Sequence, residues 1–130
     1  MKILGIGVDI VENKRFKKSI KNKKLIERLF TLSEIKNSRL IKNKSTFFSK
    51  KFAAKESFSK ALGTGFRKNL NFKDIEILNN NLGKPYFKLN SKLKKIVAKT
   101  LKVKNFNLFL SISDEKDYSI AFTIIQVKNV

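Results

Sequence analysis

A chain of 130 residues with no cysteine and no histidine cannot staple itself with disulfides, build a thiolate metal site or run a triad on imidazole. Its 42% hydrophobic content suffices for one modest core, read as a single domain over 1–130. The net charge of +20 calls for an anionic partner, or records a lysine-rich surface written cheaply by an AT-rich genome, and alone it does not choose between them.

The N-terminal apolar run is too short to span a bilayer, is interrupted by Asp9, and is followed by no small-residue cleavage pattern, so a cytoplasmic protein without membrane association is expected. Residues 2–11 alternate as a strand. Leu4, Ile6, Val8 and Ile10 form one branched apolar face, and Gly5, Gly7 and Asp9 line up on the other. Glycines there leave room for another backbone or a ligand, or else mark a bulge or tight packing with Asp9 bonded to a nearby loop.

Residues 13–30 are basic and partly helical, anchored by Phe16, Ile20, Leu25, Ile26, Leu29 and Phe30. Thr31 or Ser33 caps a short helix after them. The longest helix runs from about Ser45 to Leu62, with Phe48, Phe52 and Phe58 on its buried side and Gly63 as its stop. Asp74–Leu78 and Pro85–Leu89 read as strands around a polar turn containing Gly83. Asn90 or Ser91 caps a helix to about Leu101, and strands 106–113 and 118–126 close the chain around the acidic turn Asp114-Glu115-Lys116-Asp117. The expected fold is α+β, a mostly antiparallel sheet packed on one long helix and shorter ones.

Several standard sites are missing. Ile10 stands where a dinucleotide fingerprint needs its third glycine, and Gly63-Thr64-Gly65 lacks the following Gly-Lys-Ser/Thr of a phosphate loop. The 12 phenylalanines fall at periodic positions and read as core. What remains is oxygen chemistry. Asp9 and Glu56 can supply ligands to Mg²⁺ or Mn²⁺, which favour oxygen and are content with one or two carboxylates. Lys60, one helical turn beyond Glu56, can contact a phosphate beside them. Taken alone, Glu56 and Lys60 also make an ordinary i,i+4 ion pair worth roughly 0.2–0.5 kcal/mol.

Three stretches together resemble a known family: Gly5-Ile6-Gly7-Val8-Asp9-Ile10-Val11, Phe52-Ala53-Ala54-Lys55-Glu56-Ser57-Phe58-Ser59-Lys60-Ala61-Leu62-Gly63-Thr64-Gly65, and Gly83-Lys84-Pro85. They are similar to the holo-acyl-carrier-protein synthases, the short bacterial-type 4′-phosphopantetheinyl transferases, over nearly the whole chain. The resemblance implies that fold and a reaction serving fatty acid synthesis. In it, 4′-phosphopantetheine moves from coenzyme A to a serine of apo-acyl carrier protein, with release of adenosine 3′,5′-bisphosphate. It implies Asp9 and Glu56 as ligands of Mg²⁺ on the coenzyme A pyrophosphate, with Glu56 or a water on the metal helping to remove the serine proton. Lys60 would hold phosphate and offset charge on the leaving group. Gly63, Thr64 and Gly65 would let backbone approach the nucleotide, Pro85 would lie against adenine, and Lys42, Lys44 and Lys51 would add phosphate contacts. A basic helix from Arg15 to Arg28, presenting Arg15, Lys21, Lys24 and Arg28, would receive the acidic helix of the carrier protein. The family implies a homotrimer with active sites between protomers, so that Asp9 and Glu56 would meet across or near an interface.

Two positions depart from the family pattern: Asp114 stands where histidine is usual after Ser-x-Ser, and Lys51 stands where arginine is usual. Lysine keeps the charge but loses bidentate phosphate geometry, so weaker coenzyme A binding is expected. Two other readings compete. A nucleic-acid-binding module gives no reason for Asp9 and Glu56 to lie close in space and would be favoured by finding them far apart, and a catalytically dead relative would lack transfer activity.

Overall fold

The computed structural model describes residues 2–67 and 69–128. Strand β1 (Ile3–Glu12) leads through two short helices, α1 (Arg15–Ser19) and α2 (Lys23–Leu29), to α3 (Leu32–Ser38) and the 19-residue helix α4 (Lys44–Leu62). A single 3₁₀ turn (Phe72–Asp74) precedes the hairpin of β2 (Glu76–Asn79) and β3 (Pro85–Lys88). Helix α5 (Ser91–Leu101) and the strands β4 (Phe106–Asp114) and β5 (Tyr118–Val127) follow. Every pairing is antiparallel, as expected, but the strands form two sheets, one ordered β1-β5-β4 and one of β2 and β3.

The expected basic helix from Arg15 to Arg28 is broken in two. Asn22 leaves helical geometry and its side chain accepts from the Leu25 N–H, starting α2 afresh and dividing the cations between α1, a turn and α2. Thr31, not Ser33, caps α3 in a capping box with Glu34. Helix α4 starts one residue earlier than expected, capped by Asn43, and stops at Gly63, whose φ of 86° a side chain would resist.

α4 packs on β1 and β5 along a stripe of small residues at i+4 spacing, Ser49, Ala53, Ser57 and Ala61, all buried. The glycine face of β1 is the face that meets it. A Cβ on Gly7 would stand 1.9 Å from the Ser57 carbonyl oxygen, and one on Gly5 1.9 Å from that of Ala61. Of the alternatives the sequence left open, close approach of another backbone is the one realised. Ser57 and Thr123 hydroxyls hydrogen-bond at 2.6 Å across the seam. The branched face of β1 consequently points away from α4, with Val8 52% and Ile10 60% exposed.

Among the described residues no strand lies beside the outer edge of β2. Side chains complete it: Glu34 accepts from the Ile77 N–H at 2.9 Å, Lys51 donates to the Ile77 carbonyl at 3.0 Å, and Lys55 donates to the Ile75 carbonyl at 2.6 Å. The β4–β5 turn is held from the opposite end of the chain. The Asn13 amide donates to the Glu115 and Lys116 carbonyls and its oxygen accepts from Ser119.

Gly7→Ala tests the backbone seam. The methyl forces α4 off β1 and should destabilise the chain by about 1–3 kcal/mol or more, read from urea unfolding.

Candidate active site

β1 and α4 bring Asp9, Glu56 and Lys60 together within one chain. Alternation puts Asp9 on the glycine side of β1, and helical spacing puts Glu56 and Lys60 on one face of α4 within electrostatic reach of it. Lys60 does not form the local pair with Glu56. Its ammonium reaches across to Asp9 Oδ1 at 3.0 Å and to the Val8 carbonyl at 3.1 Å. The Asp9 side chain is mostly buried, whereas that of Lys60 is half exposed. Burial raises the Glu56 carboxyl above its ordinary range and the like charge of Asp9 raises it further, while Lys60 and Arg15 pull it down. Arg15 is held nearby, its guanidinium 4.9 Å from the Phe52 ring centroid. Two carboxylates that repel each other, one mostly buried and one half-buried, suit a hard divalent cation, which neutralises both and takes oxygen ligands. Among the described residues no cluster of three or more acidic, histidine or cysteine ligands occurs, so a cation held at Asp9 and Glu56 would take the rest of its oxygens from water or substrate.

The remaining expected residues divide into separate places. Gly63, Thr64 and Gly65 form the turn just past Lys60; both glycines have positive φ, and Thr64 donates to the Gly65 carbonyl. Pro85 and Lys51 lie elsewhere, in the lining of a cavity of about 560 Å³ with Phe47, Lys50, Tyr86 and Asp114. Neither Asp9, Glu56 nor Lys60 lines that cavity. Lys42 and Lys44 do not line it either; Lys44 instead donates to the Ile41 carbonyl. Arg15, Lys21, Lys24 and Arg28 are all exposed, spread over α1, the turn and α2.

Two residues passed over in the sequence matter to the cavity. Lys50 stands 3.8 Å from Asp114, supplying the counter-charge to the acid at the position where the resemblance implies histidine. Phe47 covers the Lys51 ammonium, 4.8 Å from its ring centroid, while Lys51 also approaches Asn79 Oδ1 at 3.5 Å. Lys50 had no local signal beyond its place beside Lys51 in a lysine-rich sequence. Burial lowers the Lys51 pKa to about 8, against the pull of Glu34 in the other direction.

With that geometry in place, comparison with known proteins is decisive. Residues 5–123 match the 4′-phosphopantetheinyl transferase superfamily. The holo-[acyl-carrier-protein] synthase of Pelagibacter ubique is 62% identical over 128 residues, 98% of this chain and all of that protein. A crystal structure of the synthase from Neisseria meningitidis superposes with a TM-score of 0.85 at 35% identity, covering 96% of this chain and 99% of the other. That of Bacillus anthracis, in complex with coenzyme A (3′,5′-ADP), gives 0.80 at 33% identity, covering 97% and 98%. The fold is that of a 4′-phosphopantetheinyl transferase. The chain belongs to the holo-[acyl-carrier-protein] synthase family of that superfamily, and it is an enzyme.

Lys51 gives a pH test with a definite sign. Its folded pKa lies below that of an unfolded lysine, so between about pH 8 and 10.5 the unfolded chain holds the extra proton. Unfolding free energy of the wild type should therefore rise relative to Lys51→Met as pH increases through that window, and the difference should be constant below it; urea titrations at several pH values read the effect.

Proposed function

We propose that this enzyme transfers 4′-phosphopantetheine from coenzyme A to a serine hydroxyl of an acyl carrier protein, with Mg²⁺ at Asp9 and Glu56. The observation that carries the reading is the meeting of those two carboxylates with Lys60 at the end of the glycine seam. The serine oxygen forms a bond to the β-phosphorus of the coenzyme A pyrophosphate. The bond from that phosphorus to the bridging oxygen breaks, and adenosine 3′,5′-bisphosphate departs. Bound Mg²⁺ supplies charge neutralisation on the pyrophosphate oxygens. Glu56, with its raised pKa, is suited to accept the serine proton. Lys60 exchanges Asp9 for phosphate and offsets negative charge on the leaving group.

The nucleotide of coenzyme A fits the separate cavity, where Pro85 and Tyr86 offer flat apolar surface and Lys50 and Lys51 offer cations. That cavity opens about half a turn round α4 from Lys60, since Lys51 and Lys60 are nine residues apart. A complete site then needs the cavity of one copy beside the acids of another. The outward face of β1-β5-β4 supports such an assembly. Val8 pairs with Phe122 and Ile10 with Ile120, giving a contiguous apolar patch with all four side chains well exposed. A homotrimer is the assembly in keeping with the family. The exposed Arg15, Lys21, Lys24 and Arg28, with Arg15 reaching towards Glu56, form the landing surface for an acidic carrier protein.

Carrier protein incubated with coenzyme A, Mg²⁺ and the enzyme should gain the mass of 4′-phosphopantetheine. Asp9→Ala and Glu56→Ala should each slow that gain on the order of 100-fold or more while the fold survives. Full transfer by either variant overturns the metal assignment. Phe122→Glu places a charge on the apolar face and should give monomers in light scattering, with transfer lost at the same time; an active monomer refutes the shared site.

A further inference from the structure

Lys55 is fully buried beside Glu56 in the sequence, yet its ammonium takes no part in the chemistry above. It donates to Glu34 Oε1 at 2.7 Å, to the Phe72 carbonyl at 2.9 Å and to the Ile75 carbonyl at 2.6 Å. An ammonium has three protons, and all three are used. Glu34 is equally committed, taking the Thr31 N–H at 2.9 Å on Oε1 and the Ile77 N–H at 2.9 Å on Oε2. One lysine thus fastens α4 to α3, to the 3₁₀ turn and to the start of β2.

Replacing a buried ion pair by apolar side chains of similar volume is often neutral or stabilising, so stability is a weak reason for its presence. The other side of α4 explains what it does. There the helix rests on the glycine backbone of β1 at Ser57 and Ala61, and the buried stripe continues through the small residues Ala53 and Ser49, a smooth surface with few projections to resist rotation. A carboxylate about 6 Å from a helix axis sweeps about 2 Å when the helix turns by about 20°. Misplacement of that size is enough to separate two ligands of one small cation, whose coordination tolerates little error.

We propose that Lys55 is a positioning residue: held by Glu34 and the carbonyls of Phe72 and Ile75, it fixes the rotation of α4 and so sets Glu56 against Asp9 at the spacing a divalent cation requires. The inference rests on the reading of Asp9 and Glu56 as metal ligands. Lys51, one turn earlier, grips the same strand edge at Ile77, but it precedes Glu56 by five residues and lies further from it along the helix.

The test is Lys55→Met combined with Glu34→Gln, which removes both charges at similar volume and keeps an oxygen for the capping box. Mn²⁺ binding followed by electron paramagnetic resonance on the assembled enzyme should weaken at least fivefold. kcat for carrier-protein modification should fall at least tenfold, with KM for the carrier protein and affinity for adenosine 3′,5′-bisphosphate within threefold of wild type. Should the double variant not fold, Lys55→Gln keeps donors for the carbonyls, and its Mn²⁺ affinity should lie below that of wild type in the same assay. Unchanged Mn²⁺ affinity and kcat in a folded variant would show Lys55 to be packing only and overturn the proposal. Loss of nucleotide affinity in step with kcat overturns it too, because the cavity and not the acid pair would then depend on Lys55. A wild-type enzyme that binds no Mn²⁺ and transfers nothing brings down the metal reading itself, an outcome recognisable before any variant is made.

Discussion

Helix α4 and strand β1 meet through their backbones, because Gly5 and Gly7 place no side chain between them and the helix presents only Ser57 and Ala61 in return. Close packing of this kind leaves no slack. It draws Asp9, two residues beyond Gly7, into reach of a helix that carries Glu56 and Lys60, and it forces the branched side chains of β1 onto the other side of the sheet. The acid pair and the exposed apolar face are therefore two results of one packing decision. A bulkier residue at either glycine would damage both.

The electrostatics at that junction follow from partial burial. Asp9 lies in a mostly covered position with Lys60 on it, and Glu56 is raised by desolvation and by its neighbour's charge. Lysine appears in three different capacities along one helix. Lys51 is a desolvated ammonium at a cavity wall, Lys55 a fully bonded internal tie, and Lys60 a half-exposed cation free to change partner. Surroundings, far more than residue type, decide which of these a lysine becomes.

That explains what was legible in the sequence. Elements with their own punctuation were clear: the Gly63 stop, the proline opening β3 and the acidic turn after β4, whereas the cap of α3 was narrowed to Thr31 or Ser33 and its box with Glu34 was not seen. The acids were found because an Asp in an apolar alternating run and a Glu before an i+4 Lys stand out in a basic chain. The break at Asn22 was hidden, since one asparagine among lysines looks like surface, and its capping role appears only when the Leu25 N–H is placed. Lys50 and Lys55 were hidden for the same reason: in a sequence with 30 basic residues, no local pattern separates a buried cation from an exposed one. The partition into acid face and cavity face was likewise unreadable, because it depends on which sides of α4 the two sheets occupy.

The completed edge of β2 has a consequence for the behaviour of the chain at high concentration. A two-stranded hairpin ordinarily offers its outer strand as a template on which other chains can pair and begin to aggregate. Here the Ile77 amide and the carbonyls of Ile75 and Ile77 are already taken by Glu34, Lys51 and Lys55. Those side chains serve as a surrogate strand along Ile75–Ile77, where these backbone groups are no longer available to an incoming chain.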